Sequence, residues 1–165
     1  MRDLALRTVQ MTRDLSRGYI GLRHGRVLAS DIESGRVAQA SAPGAAALVP
    51  LVLSTDETRV LAAWRDHSIA VLDAATLAPV RLLAGSSDAP TALALSPEGT
   101  LAVAIGAGVL TAWRVADDRV VATADLSPTG ETPTAIAFSR DGDTLWGGTS
   151  RGNLLRFAVS SAVTR

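Results

Sequence analysis

The chain contains no cysteine and no lysine, and aromatic side chains make up only 4% of its 165 residues. The lack of cysteine excludes a disulfide framework, a thiolate nucleophile and a thiolate metal site. The sixteen basic residues are all arginine and are balanced by sixteen acids, so the net charge is zero. A chain without net charge has no overall field that would draw it to nucleic acid or to an acidic membrane.

Long hydrophobic runs are also absent. No stretch approaches the about 18 apolar residues of a membrane-spanning helix, and the first ten residues hold no apolar run of signal-peptide length. We therefore expect no membrane insertion and a cytoplasmic location, or a periplasmic one if the chain is a trimmed part of a longer protein. The hydrophobic fraction of 47% is enough for one domain with a packed core.

The sequence repeats itself four times. Hydroxyl residues mark each copy at Thr12, Ser54, Ser96 and Ser139, with spacings of 42, 42 and 43 residues. Each of these residues follows a short apolar segment and precedes turn residues such as "RDG" or "PEG". Asp, Pro and Gly favour tight turns, so every copy begins with a strand that ends in a turn.

Three further apolar segments follow in each of the first three copies, and two follow in the last. They are short and bounded by Gly, Pro, Asp or Ser, which is typical of strands and too short for helices. Four antiparallel strands in about 40–45 residues form the blade of a β-propeller. We predict an all-β chain without helices and with four blades, the last incomplete, at approximately residues 4–42, 46–86, 90–127 and 132–159.

Several of these segments resemble the bacterial WD-repeat and YVTN-type β-propeller families. The segments are "SIAVLDAATLAPV" at 68–80, "PTALALSPEG" at 90–99 and "PTAIAFSRDG" at 133–142. The Trp-Asp and Gly-His pairs of the stricter WD pattern are not intact, and the Trp position holds Ser30, Leu72, Trp113 and Phe157. The resemblance therefore implies blades of the YVTN style, which rely on apolar packing.

Family rings usually contain six to eight blades, so the resemblance implies that four blades form half of a larger or dimer-completed ring. Few residues precede the first strand, so we expect no fourth strand for the last blade from that end. Two bare end faces of about 400 Å² each would forgo about 20 kcal/mol of hydrophobic stabilisation, as an upper estimate. This exceeds the about 5–15 kcal/mol stability of a typical domain. We expect a second copy or a partner chain to cover them.

The candidates for catalysis and metal binding are better explained as turns. Asp66, His67 and Ser68 are adjacent, so their side chains alternate between faces and cannot form a catalytic triad. The only other histidine, His24, lies at no zinc-binding spacing from His67. A histidine contributed to a site shared within a dimer remains an alternative.

The glycine pair at 106–108 precedes no helix, so it is a turn rather than a phosphate site. The acidic pairs at 56–57 and 117–118 lack the spacing of a calcium loop. We predict no catalytic residue, no cofactor and no metal site.

The three tryptophans are candidates for the core or for binding, and the tips of the hairpins between second and third strands are candidates for binding. We place Trp113 and Trp146 in the core. Trp64 ends a strand beside an arginine, as interface anchors do, so it is a candidate for binding as well as for the core. The candidate protein-binding rim consists of Trp64, Arg65, Asp66, His67, Arg23, His24 and Arg151.

The sequence favours a non-enzymatic protein-protein interaction scaffold or subunit of a larger assembly. The resemblance also leaves open a lactonase-like or small-ligand-binding propeller, which would need a cluster of catalytic or metal-binding residues at the ring centre. A truncated piece of a larger propeller protein is a third possibility. Nucleic-acid binding is not expected, because the arginine-rich first 36 residues offer only Tyr19 for stacking.

Overall fold

The computed structural model describes residues 6–40, 48–84, 88–131 and 133–159. The predicted all-β class is confirmed, with four antiparallel sheets arranged as the blades of a β-propeller. The outermost parts of the predicted blade ranges, at 4–5, 41–42, 46–47, 85–86 and 132, lie outside the described residues.

Each blade is an antiparallel meander whose strands pair in chain order. Blade one consists of β1 (Leu6–Met11), β2 (Arg17–Leu22), β3 (Val27–Asp31) and β4 (Val37–Ala40). Blade two consists of β5 (Leu48–Leu53), β6 (Arg59–Trp64), β7 (Ile69–Asp73) and β8 (Pro79–Leu83). Blade three consists of β9 (Ala92–Leu95), β10 (Leu101–Gly106), β11 (Val109–Arg114) and β12 (Arg119–Asp125). Blade four has three strands, β13 (Pro133–Phe138), β14 (Thr144–Thr149) and β15 (Leu154–Ala158).

The only helical element of the described residues is one 3-10 turn at Ser127–Thr129. Accordingly, nothing helical in these ranges has the length and apolar character needed to cross a membrane.

The repeated hydroxyl residues close the turn between the first and second strands of every blade. Each hydroxyl oxygen accepts a hydrogen bond from the backbone N–H five residues later, at 2.9–3.0 Å. These pairs are Thr12–Arg17, Ser54–Arg59, Ser96–Leu101 and Ser139–Thr144. Because the first three of these hydroxyl residues are buried, the bond satisfies a polar group that water does not reach.

Consecutive blades pack face to face. The first strands β1, β5, β9 and β13 contact one another in that order, so they form the inner wall. Three apolar clusters fill the spaces between consecutive blades. Each contains residues of both neighbours, namely Tyr19 and Leu72 between blades one and two, Leu61 and Leu93 between blades two and three, and Val103 and Leu145 between blades three and four. A blade is thus stabilised mainly by its neighbours, as stacked repeats are.

Trp113 occupies the cluster between blades two and three, which confirms its predicted place in the core. The side chain is fully buried, and its indole Nε1 donates a hydrogen bond of 2.6 Å to the Ala84 carbonyl. The ring therefore ties β11 of blade three to the end of blade two through both packing and a hydrogen bond.

Replacing Trp113 with alanine is expected to lower the free energy of unfolding by about 3–5 kcal/mol, because the change leaves a large interior cavity and an unpaired carbonyl. Urea denaturation followed by far-UV circular dichroism measures this loss. The control is Val80→Ala on the exposed face of β8, which should change stability by less than about 0.5 kcal/mol. Equal effects of the two substitutions would contradict the role of Trp113.

Candidate functional site: the hairpin-tip rim

The turns between the second and third strands of all four blades lie at one end of the propeller, because the blades share one strand order. We call this end the hairpin-tip rim. Six of the seven candidate residues lie exposed in these turns: Arg23, His24, Arg65, Asp66, His67 and Arg151. Sequence spacing alone placed them in equivalent turns, and the propeller brings those turns to a common surface.

Trp64 differs from the other candidates because its ring is buried. Its indole Nε1 donates a hydrogen bond of 2.7 Å to the carbonyl of Gly25 in the tip of blade one. The ring also packs in the apolar cluster between blades one and two. Trp64 therefore fixes two neighbouring tips relative to each other, and the exposed surface of the rim consists of the polar candidates.

The tip of blade two is a tight turn, as its sequence predicts. The Ser68 hydroxyl donates to Asp66 Oδ1 at 2.5 Å, and the His67 N–H donates to the Trp64 carbonyl. The hydrogen bond from the Ser68 hydroxyl, with a second one from the Ser68 backbone N–H, lowers the pKa of the Asp66 carboxyl below its ordinary value. Asp66 is thus engaged in holding the turn.

His67 has a left-handed backbone conformation with φ of 71°. The equivalent residues of the other three tips are Gly25, Gly108 and Gly152, with φ of 80° to 83°. A residue with a Cβ is disfavoured in this region by about 1–2 kcal/mol, whereas glycine adopts it readily. Blade two therefore keeps an imidazole on the rim at a position where the turn geometry favours glycine.

The opposite rim is acidic. It is formed by the turns between first and second strands and between third and fourth strands. Eleven of the sixteen acids of the chain lie in these turns or at the strand end that leads into them, at positions 14, 31, 33, 56, 57, 73, 98, 117, 118, 141 and 143. The four turns of the hairpin-tip rim hold four arginines (Arg23, Arg26, Arg65 and Arg151) and one acid (Asp66). The connections between blades reach the same end and add Asp88, Asp125 and Glu131, so among the described residues this end is balanced in charge, whereas the opposite rim is acidic.

Many of the acids on the acidic rim are turn residues with defined hydrogen bonds. Ser139 donates its hydroxyl to Asp141 at 2.6 Å, and Ser54 donates to Asp56 at 2.6 Å. These bonds are the main cause that lowers the pKa of each carboxyl. At 117–118, the Arg114 guanidinium makes two hydrogen bonds of 2.9 Å to Asp117 and lowers its pKa. The interpretation of the acidic pairs as turns is confirmed.

A cavity of about 350 Å³ opens on the inner strands, where a ring-centre site would lie. Its lining is mainly apolar, with Gln10, Thr55, Ser139 and Arg140 as polar side chains, and no carboxylate or imidazole of the described residues lines it. Within the same residues, no three His, Cys, Asp or Glu side chains lie close enough together to hold a metal ion.

Sequence reasoning missed a pair on blade four. Trp146, expected in the core, is half-buried on the face of the blade that points away from blade three. The Arg156 guanidinium lies over its ring at 5.9 Å from the centroid, within the range of a cation–π contact. The two side chains are direct neighbours on β14 and β15. The alternation of inward and outward residues along β14 was the signal that would have placed them together.

Replacing His67 with glycine is expected to raise the free energy of unfolding by about 0.5–1 kcal/mol, because the left-handed conformation no longer strains a side chain. The matched control is Arg65→Gly in the same turn. Arg65 does not have a positive φ, so this variant should lose about 0.5–1 kcal/mol of the free energy of unfolding. Urea denaturation gives both values. A loss of stability in His67→Gly would show that the imidazole stabilises the fold rather than serving the rim.

Stability is expected to fall in acid because of the turn carboxylates. The pKa of Asp56, Asp66 and Asp141 is lower in the folded chain than the ordinary value of 3.8, so their stabilising effect is complete above that value. It is lost as the pH falls through the lower, folded values. Urea denaturation at a series of pH values should show this decline, and Asp141→Asn should reduce it.

The control for Asp141→Asn is Glu98→Gln on the same rim, whose carboxylate makes no hydrogen bond within the described part of the chain. An acid decline of equal size in both variants would contradict the assignment to the turn carboxylate.

The chain was also compared with known proteins. No protein-family model matches it, and no curated protein matches it significantly.

Proposed function

We propose that the protein is a non-enzymatic interaction module, a scaffold or subunit of a larger assembly, built from propeller repeats of the WD/YVTN type. In this proposal the hairpin-tip rim binds a protein partner. Support comes from the exposed arginine and histidine side chains in the equivalent turns of blades one, two and four. Fold alone does not determine function, so the proposal depends on this surface.

The observation that carries the proposal is the backbone of His67. Strained backbone conformations cluster at functional sites, and His67 is the one of the six non-glycine residues with positive φ in the described chain that carries an imidazole. The fold needs no imidazole here, since glycine fills the same position in the other three tips. Retention of His67, exposed and flanked by Arg65, is explained if its side chain contacts a partner.

The chemistry of the rim favours a partner with acidic groups. An arginine guanidinium binds a carboxylate through two parallel hydrogen bonds, which give both affinity and orientation. Arg23, Arg65 and Arg151 lie on three different blades. Their relative positions are held by the packing of the blades and by the Trp64–Gly25 hydrogen bond, so binding would need little ordering of the rim.

The test is affinity capture with the immobilised protein from an extract of the cells in which it naturally occurs, followed by quantification of the captured proteins. A triple variant, Arg23→Ser, Arg65→Ser and Arg151→Ser, removes the arginines that the proposal uses. Specific protein partners recovered with the unaltered chain are expected to fall at least about tenfold with this variant, since hot-spot arginines contribute more than about 1 kcal/mol each.

The matched control removes three exposed arginines from the acidic rim, by Arg36→Ser, Arg119→Ser and Arg140→Ser. It has the same change in charge and should capture the partners as the unaltered chain does. Equal losses in both triple variants would show a general charge effect, and equal recovery with all three proteins would overturn the role of the hairpin-tip rim.

A further inference from the structure

The two ends of the row of blades expose apolar side chains at positions that are buried in the other blades. On blade four, Leu154 has 66% of its surface exposed, whereas its equivalents Val27, Ile69 and Leu110 are 0%, 1% and 7% exposed. On blade one, Val9 is exposed, whereas Leu51 and Leu93, its equivalents in blades two and three, are buried. These side chains are the type that packs against a neighbouring blade.

The exposed residues form two faces, which we call the end faces. The blade-one end face carries Val9, Met11, Ile20, Leu28 and Ile32, and the blade-four end face carries Ala135, Ala137, Trp146, Leu154 and Arg156. Every other face between blades in the described chain is covered by the next blade in sequence.

The contact between blades one and two shows how the end faces fit each other. There, the Tyr19 hydroxyl donates a hydrogen bond of 3.0 Å to the Ala74 carbonyl of the next blade. Trp146 occupies the position of Tyr19 on blade four, and Ile32 occupies the position of Ala74 on blade one. The second equivalence is visible in the backbone, because Ile32 and Ala74 each donate to the residue before the second strand, Ser16 or Thr58, at 3.0 Å.

Trp146 therefore offers an aromatic ring and an N–H donor where the pattern places Tyr19. The indole N–H has no acceptor among the residues that the structure describes. If the contact between blades one and two is repeated there, the carbonyl of Ile32 on a blade-one end face takes the place of the Ala74 carbonyl as the acceptor. Within a single chain, that face belongs to the other end of the row of blades.

The residue sizes on the two end faces also complement each other. In the cluster between blades one and two, a small residue of blade one, Ala29, accompanies the large Leu77 of blade two. The equivalent of Ala29 on blade four is the large Arg156, and the equivalent of Leu77 on blade one is Gly35, with open space around the position of a Cβ. At this pair the large and the small residue have exchanged sides, which keeps their combined volume similar.

We propose that a second copy of this chain covers both end faces, so that two copies close one eight-bladed ring. The blade-four end face of each copy packs on the blade-one end face of the other, related by a two-fold axis. Eight blades lie within the range of propeller rings, and a third copy would exceed it. With about 400 Å² per end face, four faces bury about 1,600 Å², the size of a standard stable interface.

This inference names a second copy of the chain as one partner in the assembly proposed above, and only the word assembly rests on that proposal. Its test is solution mass, from light scattering coupled to size exclusion. The expected mass is twice the 17.0 kDa of the chain. A stable mass of 17.0 kDa throughout the micromolar range would overturn the inference while leaving binding at the hairpin-tip rim to its own experiment.

A matched pair of substitutions locates the contact. Leu154→Asp changes an end face, and Leu82→Asp changes the outermost strand of blade two, where the leucine is 67% exposed, almost as much as Leu154. The first variant should have half the mass of the unaltered protein, and the second should keep the full mass. Loss of the dimer in both variants, or in neither, would contradict the proposed contact.

Engineered cysteines test the arrangement directly, because the chain has none of its own. Val9→Cys marks one end face, and Gly148→Cys marks the other at a site with open space for a Cβ. A mixture of the two variants, treated with a short bismaleimide, should give a covalent dimer, whereas each variant alone should not. Cross-linking of Val9→Cys alone would indicate contact between two blade-one faces and would overturn the proposal.

Discussion

The structure depends on one constraint: a four-stranded blade is apolar on both faces and must be covered on both. Clusters of Val, Leu, Ile and Ala fill the space between consecutive blades, and the indole rings of Trp64 and Trp113 each bind a carbonyl of the preceding blade. Hydrogen bonding within a blade fixes its strands but leaves its faces bare. The same requirement that holds the described blades together makes the two ends of the row the natural places for association.

The turns serve two different purposes at the two ends of the propeller. At the acidic rim, carboxylates and hydroxyls such as Asp141 and Ser139 bond to each other and to the backbone, so their polar groups are largely engaged in the fold. At the hairpin-tip rim, Arg23, Arg65 and Arg151 extend to solvent. The rim and the end faces are separate surfaces, since one is a row of turns and the others are sheets. The proposed ring closure and the proposed partner binding therefore use different surfaces and do not exclude each other.

The fold and the candidate site were predictable to different degrees. A period of 42 or 43 residues, with a hydroxyl residue before each turn, was enough to predict the blades, because turn chemistry and strand alternation are local properties. The same local reasoning identified the 65–68 segment as a turn. It placed Trp64 and Trp146 less well, because the burial of a strand residue depends on whether another sheet covers that face. Trp64 is covered by blade one, while Trp146 points beyond the last blade.

The sequence by itself determined the repeat, the all-β class and the number of blades. These follow from spacing and from residues that prefer turns or strands, which act within about ten neighbours. Only the tertiary structure decided which surfaces exist: the gathering of four tips on one rim, the charge difference between the rims, and the two uncovered end faces that carry Trp146 and Arg156 on blade four and Ile32 and Gly35 on blade one. These depend on the order in which the blades stack, which places turns more than a hundred positions apart in sequence, such as those of Arg23 and Arg151, on one rim.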